Sequence, residues 1–259
     1  MNAPESSERQ GVKIEVQRLR KSYNGQEVLR GLDFEVKPGE VFVIMGPSGS
    51  GKSVMLREII GLDSPDAGEI LIQGESVQSP GIRDKYRMAM VFQSAALLTS
   101  LSVGENVALF LTEHTNKPQK EVDQIVAQKL EAVGLKDVQN RSPGELSGGM
   151  QKRVAIARAL VMDPQLVLFD EPTSELDPLM TVAVGGEILK LNRRTRATTI
   201  VVTHDRNVAF GIARRVAMLN DGELLFVGTP DEMQRHSDPR IQKFIHAEIP
   251  EVHPVTPNR

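Results

Sequence analysis

The chain has 259 residues, of which 40% are hydrophobic and 25% are charged, and these values suit one large globular domain with or without an inserted sub-domain. Lys and Arg number 31 and Asp and Glu number 34, and the formal net charge of −3 argues against a nucleic-acid-binding protein, which is usually basic. The absence of cysteine excludes disulfides, zinc–thiolate sites and thiol catalysis. No apolar run approaches the ~18 residues that span a bilayer, and the polar N-terminus lacks a signal-peptide core, so we expect any membrane part to come from a partner.

The N-terminal region predicts an antiparallel sheet beside a parallel core. Residues 1–11 are polar, and we expect them to be disordered. Apolar and polar residues alternate as in half-buried strands over residues 12–19, 32–36 and 69–73. Asn24 and Gly25 are typical of a hairpin turn, whereas the continuous apolar run 41–45 predicts a fully buried strand.

A glycine-rich turn joins that buried strand to a helix, in which Met55, Leu56, Ile59 and Ile60 share one face. The turn has the spacing G-x-x-x-x-G-K-S of a phosphate-binding loop and consists of Gly46, Pro47, Ser48, Gly49, Ser50, Gly51, Lys52 and Ser53. Its glycines let backbone N–H groups curl around a polyphosphate at the helix N-terminus. We expect Lys52 to reach the β- and γ-phosphates and Ser53 to offer its hydroxyl to Mg²⁺. An ordinary glycine-rich turn is the alternative, which the flanking strand and helix disfavour.

The second half of the chain returns to a parallel pattern after a helical insertion. A predicted strand over 88–92 ends at Gln93, and helical patterns over 102–111, over 118–133 and after Ser147 predict an insertion at about 94–163. The strands and helix predicted beyond it cover residues 166–169, 179–193 and 199–202, followed by a hairpin of 216–219 and 224–227. The tail 246–259 contains three prolines and should be extended, either as a disordered end or as an arm on a neighbouring subunit.

Polar residues end several of these predicted strands, and ligands of a parallel sheet bind at the carboxyl ends of strands. We therefore expect Gln93, Asp170, Glu171 and His204 to share a crevice with the phosphate loop. Asp170 would hold Mg²⁺ through water, and Glu171 would orient the attacking water or accept its proton. His204 would donate to a phosphate or bridge it to water, and the Gln93 amide oxygen would ligate the metal or bind the attacking water. The alternatives are a structural histidine and a pair of surface acids.

Ser147, Gly148 and Gly149 open a second helix N-terminus of the anion-binding type. Helix capping is the simpler interpretation, but capping alone hardly needs two glycines. This N-terminus lies on the helical insertion, so we do not expect it to reach the phosphate loop of the same chain. Two facing protomers would instead complete each other's sites.

These motifs resemble those of the ATP-binding-cassette (ABC) ATPases over residues 12–245. The resemblance implies an α/β fold, a P-loop NTPase core with an antiparallel β sub-domain and an inserted helical sub-domain. It also implies that residues 146–150 are the signature, that Asp177 belongs to the D-loop and that Tyr23 stacks on adenine. Two such domains would sandwich two ATP molecules with Mg²⁺, and closure on ATP would drive a membrane partner. Glu175 departs from the family's usual Gly or Ala, and we expect its charge to weaken closure.

A narrower resemblance is to the ATPases of bacterial MCE-type phospholipid transporters, the Mla system. It rests on Met150 in the signature and on residues 92–97, 112–115 and 238–244. It implies a homodimer on the cytoplasmic face of the inner membrane, an integral-membrane permease, a periplasmic MCE lipid-binding protein and a small regulatory subunit. No nucleic-acid partner is implied.

Three other functions remain open at this stage. The chain could serve an importer or exporter with another cargo. It could be a soluble ATPase of an assembly such as iron–sulfur cluster biogenesis or a repair complex. It could also be a nucleotide-binding switch without hydrolysis, although the presence of both Glu171 and His204 argues against a switch.

Overall fold

The computed structural model describes residues 11–174 and 176–246. The predicted disordered segment 1–11 lies outside this part of the chain except for Gly11, whose amide donates to the Arg196 carbonyl at 3.0 Å. Glu175 lies outside it as well, and so does the predicted tail beyond His246.

The described residues form ten strands, nine helices and a 3₁₀ turn at Pro143–Glu145. In chain order the strands and helices are β1 (Ile14–Tyr23), β2 (Gln26–Val36), β3 (Val41–Met45), α1 (Lys52–Ile59), β4 (Ala67–Ile72), β5 (Glu75–Ser76), α2 (Ile82–Lys85), β6 (Met88–Val91), α3 (Val103–His114), α4 (Gln119–Ala132), α5 (Gly148–Leu160), β7 (Leu166–Asp170), α6 (Pro178–Thr195), β8 (Thr198–Thr203), α7 (Arg206–Ile212), β9 (Arg215–Asn220), β10 (Glu223–Gly228), α8 (Pro230–Gln234) and α9 (Pro239–Ile245).

Two sheets confirm the predicted α/β class. A four-stranded antiparallel sheet has the order β2-β1-β4-β5, and its first hairpin turns at Asn24 and Gly25, both with positive φ. A six-stranded sheet has the order β10-β9-β3-β8-β7-β6, in which every neighbouring pair is parallel except β9 and β10. The carboxyl ends of β3, β8, β7 and β6 therefore lie along one edge, where a ligand site is expected.

Helix α1 carries the end of the phosphate loop and lies in the core that joins the two sheets. Met55, Leu56 and Ile59 are fully buried in one apolar cluster with Leu29 of β2 and Phe42 of β3. The predicted apolar face is thus confirmed for these three positions. Because both sheets contribute to this cluster, α1 is fixed against them and its N-terminus is held at the carboxyl edge of β3.

Helices α3, α4 and α5 lie between β6 and β7 in sequence, within the predicted insertion. Ser102 begins α3 with a capping box, in which Ser102 and Glu105 satisfy each other's backbone N–H groups. Apolar residues of the three helices, such as Val107, Leu130 and Val154, join a second core cluster with the other face of the parallel sheet. The insertion consequently packs on the sheet through its own apolar face.

Candidate active site

The loop that follows β3 adopts a backbone that only glycine fits. Gly51 is the N-cap residue of α1 with a φ of 102°, and a Cβ atom there would lie 2.8 Å from Leu29 Cδ2. At Gly46 a Cβ atom would lie 2.0 Å from the Leu219 carbonyl oxygen, closer than any real contact. The glycines therefore let the loop curl tightly between β3 and α1, as an anion cradle requires.

Lys52 lies within this loop and is almost fully buried. Its ammonium donates to the carbonyl oxygens of Gly46 at 2.8 Å and Pro47 at 2.9 Å, and it lies 3.5 Å from a carboxylate oxygen of Glu171. Burial lowers the pKa of Lys52, and the charge of Glu171 opposes that effect. The lysine is thus held by oxygen atoms at the place where the sequence predicts phosphates.

Ser53 and Asp170 place two hard oxygen donors side by side. The Ser53 hydroxyl donates to Asp170 Oδ1 at 2.8 Å, which joins the start of α1 to the end of β7. Burial raises the pKa of Asp170, whereas the hydrogen bond from Ser53 lowers it. The described residues contain no group of three or more His, Asp or Glu that could hold a metal. Mg²⁺ needs no such group, because it keeps several waters and takes other ligands from substrate phosphates, so this oxygen pair fits it.

Glu171 and His204 form a second polar pair at the ends of β7 and β8. His204 Nδ1 lies 2.9 Å from Glu171 Oε2, and the His204 backbone N–H donates to the same oxygen at 3.3 Å. Glu171 is a non-glycine residue with a φ of 44°, and its own N–H donates to the Val202 carbonyl. Such left-handed backbone is concentrated at functional sites. Glu171 therefore contacts both Lys52 and His204.

These side chains share one cavity of about 290 Å³, as the convergence of strand ends predicted. Its lining consists of Val28, Ser48, Gly49, Gly51, Lys52, Ser53, Val54, Gln93, Glu171 and His204. Gly46, Pro47 and Ser50 belong to the same loop but do not line the cavity. Asp170 does not line it either, but it accepts a hydrogen bond from Ser53, which does. Val28 and Val54 also line the cavity but were not predicted from the sequence. Val54 directly follows Ser53, and this position beside the phosphate loop could have indicated it.

Tyr23 does not line this cavity. It ends β1, where its hydroxyl donates to Asp63 at 2.9 Å and the Lys21 ammonium lies 5.4 Å from its ring centroid. These contacts fix the ring on the loop that follows α1. The stacking role implied by the resemblance stays a prediction.

The second anion-binding motif also lies away from the cavity of its own chain. The Ser147 hydroxyl accepts a hydrogen bond from the Met150 N–H at 3.4 Å, which is the capping role, and Ser147 and Gly148 are exposed. Gly149 is buried, and a Cβ atom there would lie 2.8 Å from Met180 Sδ. Asp177 is exposed and caps α6, accepting from the backbone N–H groups of the two residues that follow Pro178. None of these residues lines the cavity.

Comparison with known proteins places this site in a family. The model of the ABC transporter family matches residues 29–174, more than half of the chain. The intermembrane phospholipid transport system ATP-binding protein MlaF of Haemophilus influenzae is 39% identical over 239 residues, which are 91% of this chain and 90% of that protein. A probable ribonucleotide transport ATP-binding protein of Mycobacterium leprae is 38% identical over 240 residues, which are 91% of this chain and 69% of that protein.

Solved structures agree with this assignment. The dimeric post-hydrolysis structure of the ATP-binding cassette MJ0796, bound to ADP and Pi, is 34% identical with a TM-score of 0.76, and the match covers 84% of this chain and 98% of that one. The chain therefore belongs to the ABC transporter family and is an ATP-hydrolysing enzyme that uses ATP and Mg²⁺.

Proposed function

We propose that this chain is the ATP-hydrolysing subunit of a phospholipid transporter, bound through a permease to the cytoplasmic face of a bacterial inner membrane. The match to the phospholipid-transport protein of H. influenzae carries the choice of cargo, because it covers 90% of that protein's length as well as 91% of this chain. The M. leprae relative, named for ribonucleotide transport, is equally similar, but 69% of its length is covered. The difference in mutual coverage favours the phospholipid cargo.

In this proposal, the cavity and the adjoining Asp170 supply phosphate-binding, metal-binding and general-base groups for hydrolysis of a phosphoanhydride. Lys52 and the N–H groups of its loop bind the phosphates, and Ser53 holds Mg²⁺ with Asp170 beside it. When bound there, Mg²⁺ would supply charge neutralisation at the phosphate oxygens. Glu171 orients the attacking water and accepts its proton. His204 holds the Glu171 carboxylate at 2.9 Å, and its exposed ring edge donates to the terminal phosphate.

Two copies of the chain form the working unit in this proposal. Ser147 and Gly148 are exposed outside their own cavity, so a second protomer has to bring them to the phosphates. On α6, just after Asp177, the apolar side chains of Leu179 and Val182 are 81% and 73% exposed. Isolated apolar side chains are common on surfaces, but this pair is one helical turn apart beside a D-loop residue. We assign them to the contact with the partner protomer.

An apolar groove marks the surface we assign to the permease. It has a volume of about 510 Å³ and lies where the parallel sheet meets the helical insertion. Its lining is mostly apolar and includes Leu62, Met90, Phe92 and Phe110, and Leu62 is 53% exposed. Within the described residues no helix is long and apolar enough to cross a membrane. An integral-membrane permease is the occupant we propose, with a periplasmic MCE protein and a small regulatory subunit as further members of the complex.

The test is to purify the tagged chain from membranes in mild detergent and identify the bound proteins and lipids by mass spectrometry. A multi-span permease, a one-span MCE protein and phospholipid would support the proposal. A different permease would change the cargo, for example to a ribonucleotide. Soluble partners alone would replace the membrane role with an assembly such as iron–sulfur cluster biogenesis or DNA repair.

A groove variant sharpens this experiment. Leu62→Asp places a charge in the apolar groove and should release the permease while ATP binding by the isolated chain persists. Val227→Asp is the matched control, because Val227 is also exposed but lies on β10, outside the groove's lining. Equal retention of the permease by both variants would show that the groove is not its binding surface.

A further inference from the structure

The segment that follows β6 carries Gln93 into the cavity on an unusual backbone. Two consecutive alanines, Ala95 and Ala96, have φ values of 59° and 46°, in the left-handed region that favours glycine. A non-glycine residue stays in this region only when its surroundings hold it there. The contacts of this segment therefore decide where Gln93 lies.

Two cationic side chains of α5 hold the backbone of this segment. The Lys152 ammonium donates to the carbonyl oxygen of Gln93 itself. The Arg158 guanidinium donates to the carbonyl oxygens of Ala95 at 2.9 Å and Ala96 at 2.7 Å. The two cations are six residues apart on one helix, and their contacts show that they bind successive parts of the same stretch.

Asn106 of α3 fixes the following part of the segment. It is fully buried, its Oδ1 accepts from the Leu98 N–H at 2.8 Å, and its Nδ2 donates to the Leu98 carbonyl at 2.9 Å and to the Leu101 carbonyl at 3.2 Å. From Gln93 to Leu101 the backbone is thus bound by side chains of the helical insertion.

We propose that Lys152 and Arg158 are positioning residues for hydrolysis, which set the place of Gln93 at the cavity shared with Ser53 and Glu171. This inference rests on the proposed role of Gln93 in binding the metal or the attacking water. Lys152 is 7% exposed, and burying a cation is costly when its task is packing alone. Within the described residues, these cations donate to three backbone carbonyls, those of the two left-handed alanines and of Gln93.

The first test measures ATP hydrolysis as a function of ATP and Mg²⁺ concentration. Lys152→Met and Arg158→Met keep an unbranched apolar stem but remove the donors. Each should lower kcat about 10-fold, as residues that orient a ligand commonly do, with ATP affinity within about two-fold of wild type. Arg158→Lys keeps the charge but cannot span both alanine carbonyls, and we expect an intermediate kcat.

Arg153→Met is the control on the same helix. Arg153 donates to the Gly134 carbonyl at 3.4 Å, inside the helical insertion, and within the described part of the chain it makes no hydrogen bond to the segment after β6. Its replacement should leave kcat unchanged. A fall in kcat equal to that of the other two variants would point to a general loosening of the insertion and would overturn the inference.

The second test combines the variants with Gln93→Ala. Gln93→Ala alone should lower kcat by about 10- to 100-fold, and adding Lys152→Met should cause no further loss, because the lysine acts through Gln93. Additive losses of kcat in the double variant would overturn the positioning role and leave the proposed function standing. Wild-type kcat in both α5 variants, with a low kcat in Gln93→Ala, would do the same. Wild-type kcat in Gln93→Ala would remove both roles. If one α5 variant does not fold, the other carries the test.

Discussion

Glu58 provides a quantitative test of the packing around the phosphate-loop helix. It lies on α1 with 0% exposure, and neither of its carboxylate oxygens has a hydrogen-bond partner within the described part of the chain. The charges that act on it are Lys21, Arg57, Asp63 and Asp66. Burial raises the pKa of Glu58 to about 7, the two acids add to this effect, and the two cations oppose it.

The magnitude follows from the difference between the two pKa values. The ordinary value is 4.5, the folded value is about 7, and each unit corresponds to about 1.4 kcal/mol, so the linkage is worth about 3 kcal/mol. Because the folded pKa is the higher one, this stability is present below pH 4.5 and is lost as the pH rises through 7. Part of this is already lost at pH 5, so wild type should lose about 2 to 3 kcal/mol relative to Glu58→Gln between pH 5 and pH 8.

Urea unfolding of the nucleotide-free protein at pH 5, 6, 7 and 8 measures this difference. Glu58→Gln keeps the shape of the side chain and leaves a buried amide at every pH, so the pH-dependent part isolates the carboxyl group. Glu69→Gln removes an exposed carboxyl of β4 and serves as the control. A difference between wild type and Glu58→Gln that does not change with pH would refute the reasoning, and so would an equal response in the control.

Three further substitutions test the active site. Glu171→Gln should bind ATP and form a stable dimer while turnover falls at least ~100-fold; phosphate release at the wild-type rate would remove Glu171 from its role. Lys52→Ala should weaken ATP binding at least ~10-fold in calorimetry, and unchanged binding would contradict the phosphate-loop assignment. Gly46→Ala should lower the melting temperature, because its Cβ would lie 2.0 Å from the Leu219 carbonyl oxygen; a wild-type melt would show that the loop has room to move.

The convergence of the site was predictable because parallel strands end at a common edge. Asp170 and Glu171 follow β7, His204 follows β8, and these two strands are neighbours in register, with Asp170 beside Val202. A short local pattern, an apolar run followed by a polar residue, was therefore enough to bring the groups together. The strand order itself was not predicted, since it depends on which crossover each connecting helix takes.

The burial of Glu58 was not predictable from helical periodicity. The pattern of α1 gives one apolar face, which holds Met55, Leu56 and Ile59, and that face is buried. A single face is the right expectation for a helix that packs on one layer. Helix α1 packs on two sheets, so a position beside the apolar face is buried too, and the sequence contains no signal for the second layer.

The hydrogen-bond partner of Tyr23 was also not predictable from the sequence. The sequence places an aromatic residue at a hairpin turn before the phosphate loop, and the resemblance implies that its ring stacks on adenine. Its hydroxyl donates to Asp63 in the structure, and that partner is 40 residues away along the chain. Pairing over such a distance is decided by the tertiary fold, which no local pattern contains.

The contacts of helix α5 with the backbone around Gln93 are also long-range, and they bear on the reaction in the proposed site. Its N-terminus presents Ser147 and Gly148 to a partner protomer in the proposed dimer, and Lys152 follows Ser147 by about 8 Å of helix. Both cations hold the backbone around Gln93, and the segment has left-handed alanines that resist independent adjustment. In the proposed dimer, one helix therefore carries both the N-terminus that we assign to the partner's ATP and the two cations that we propose to position Gln93.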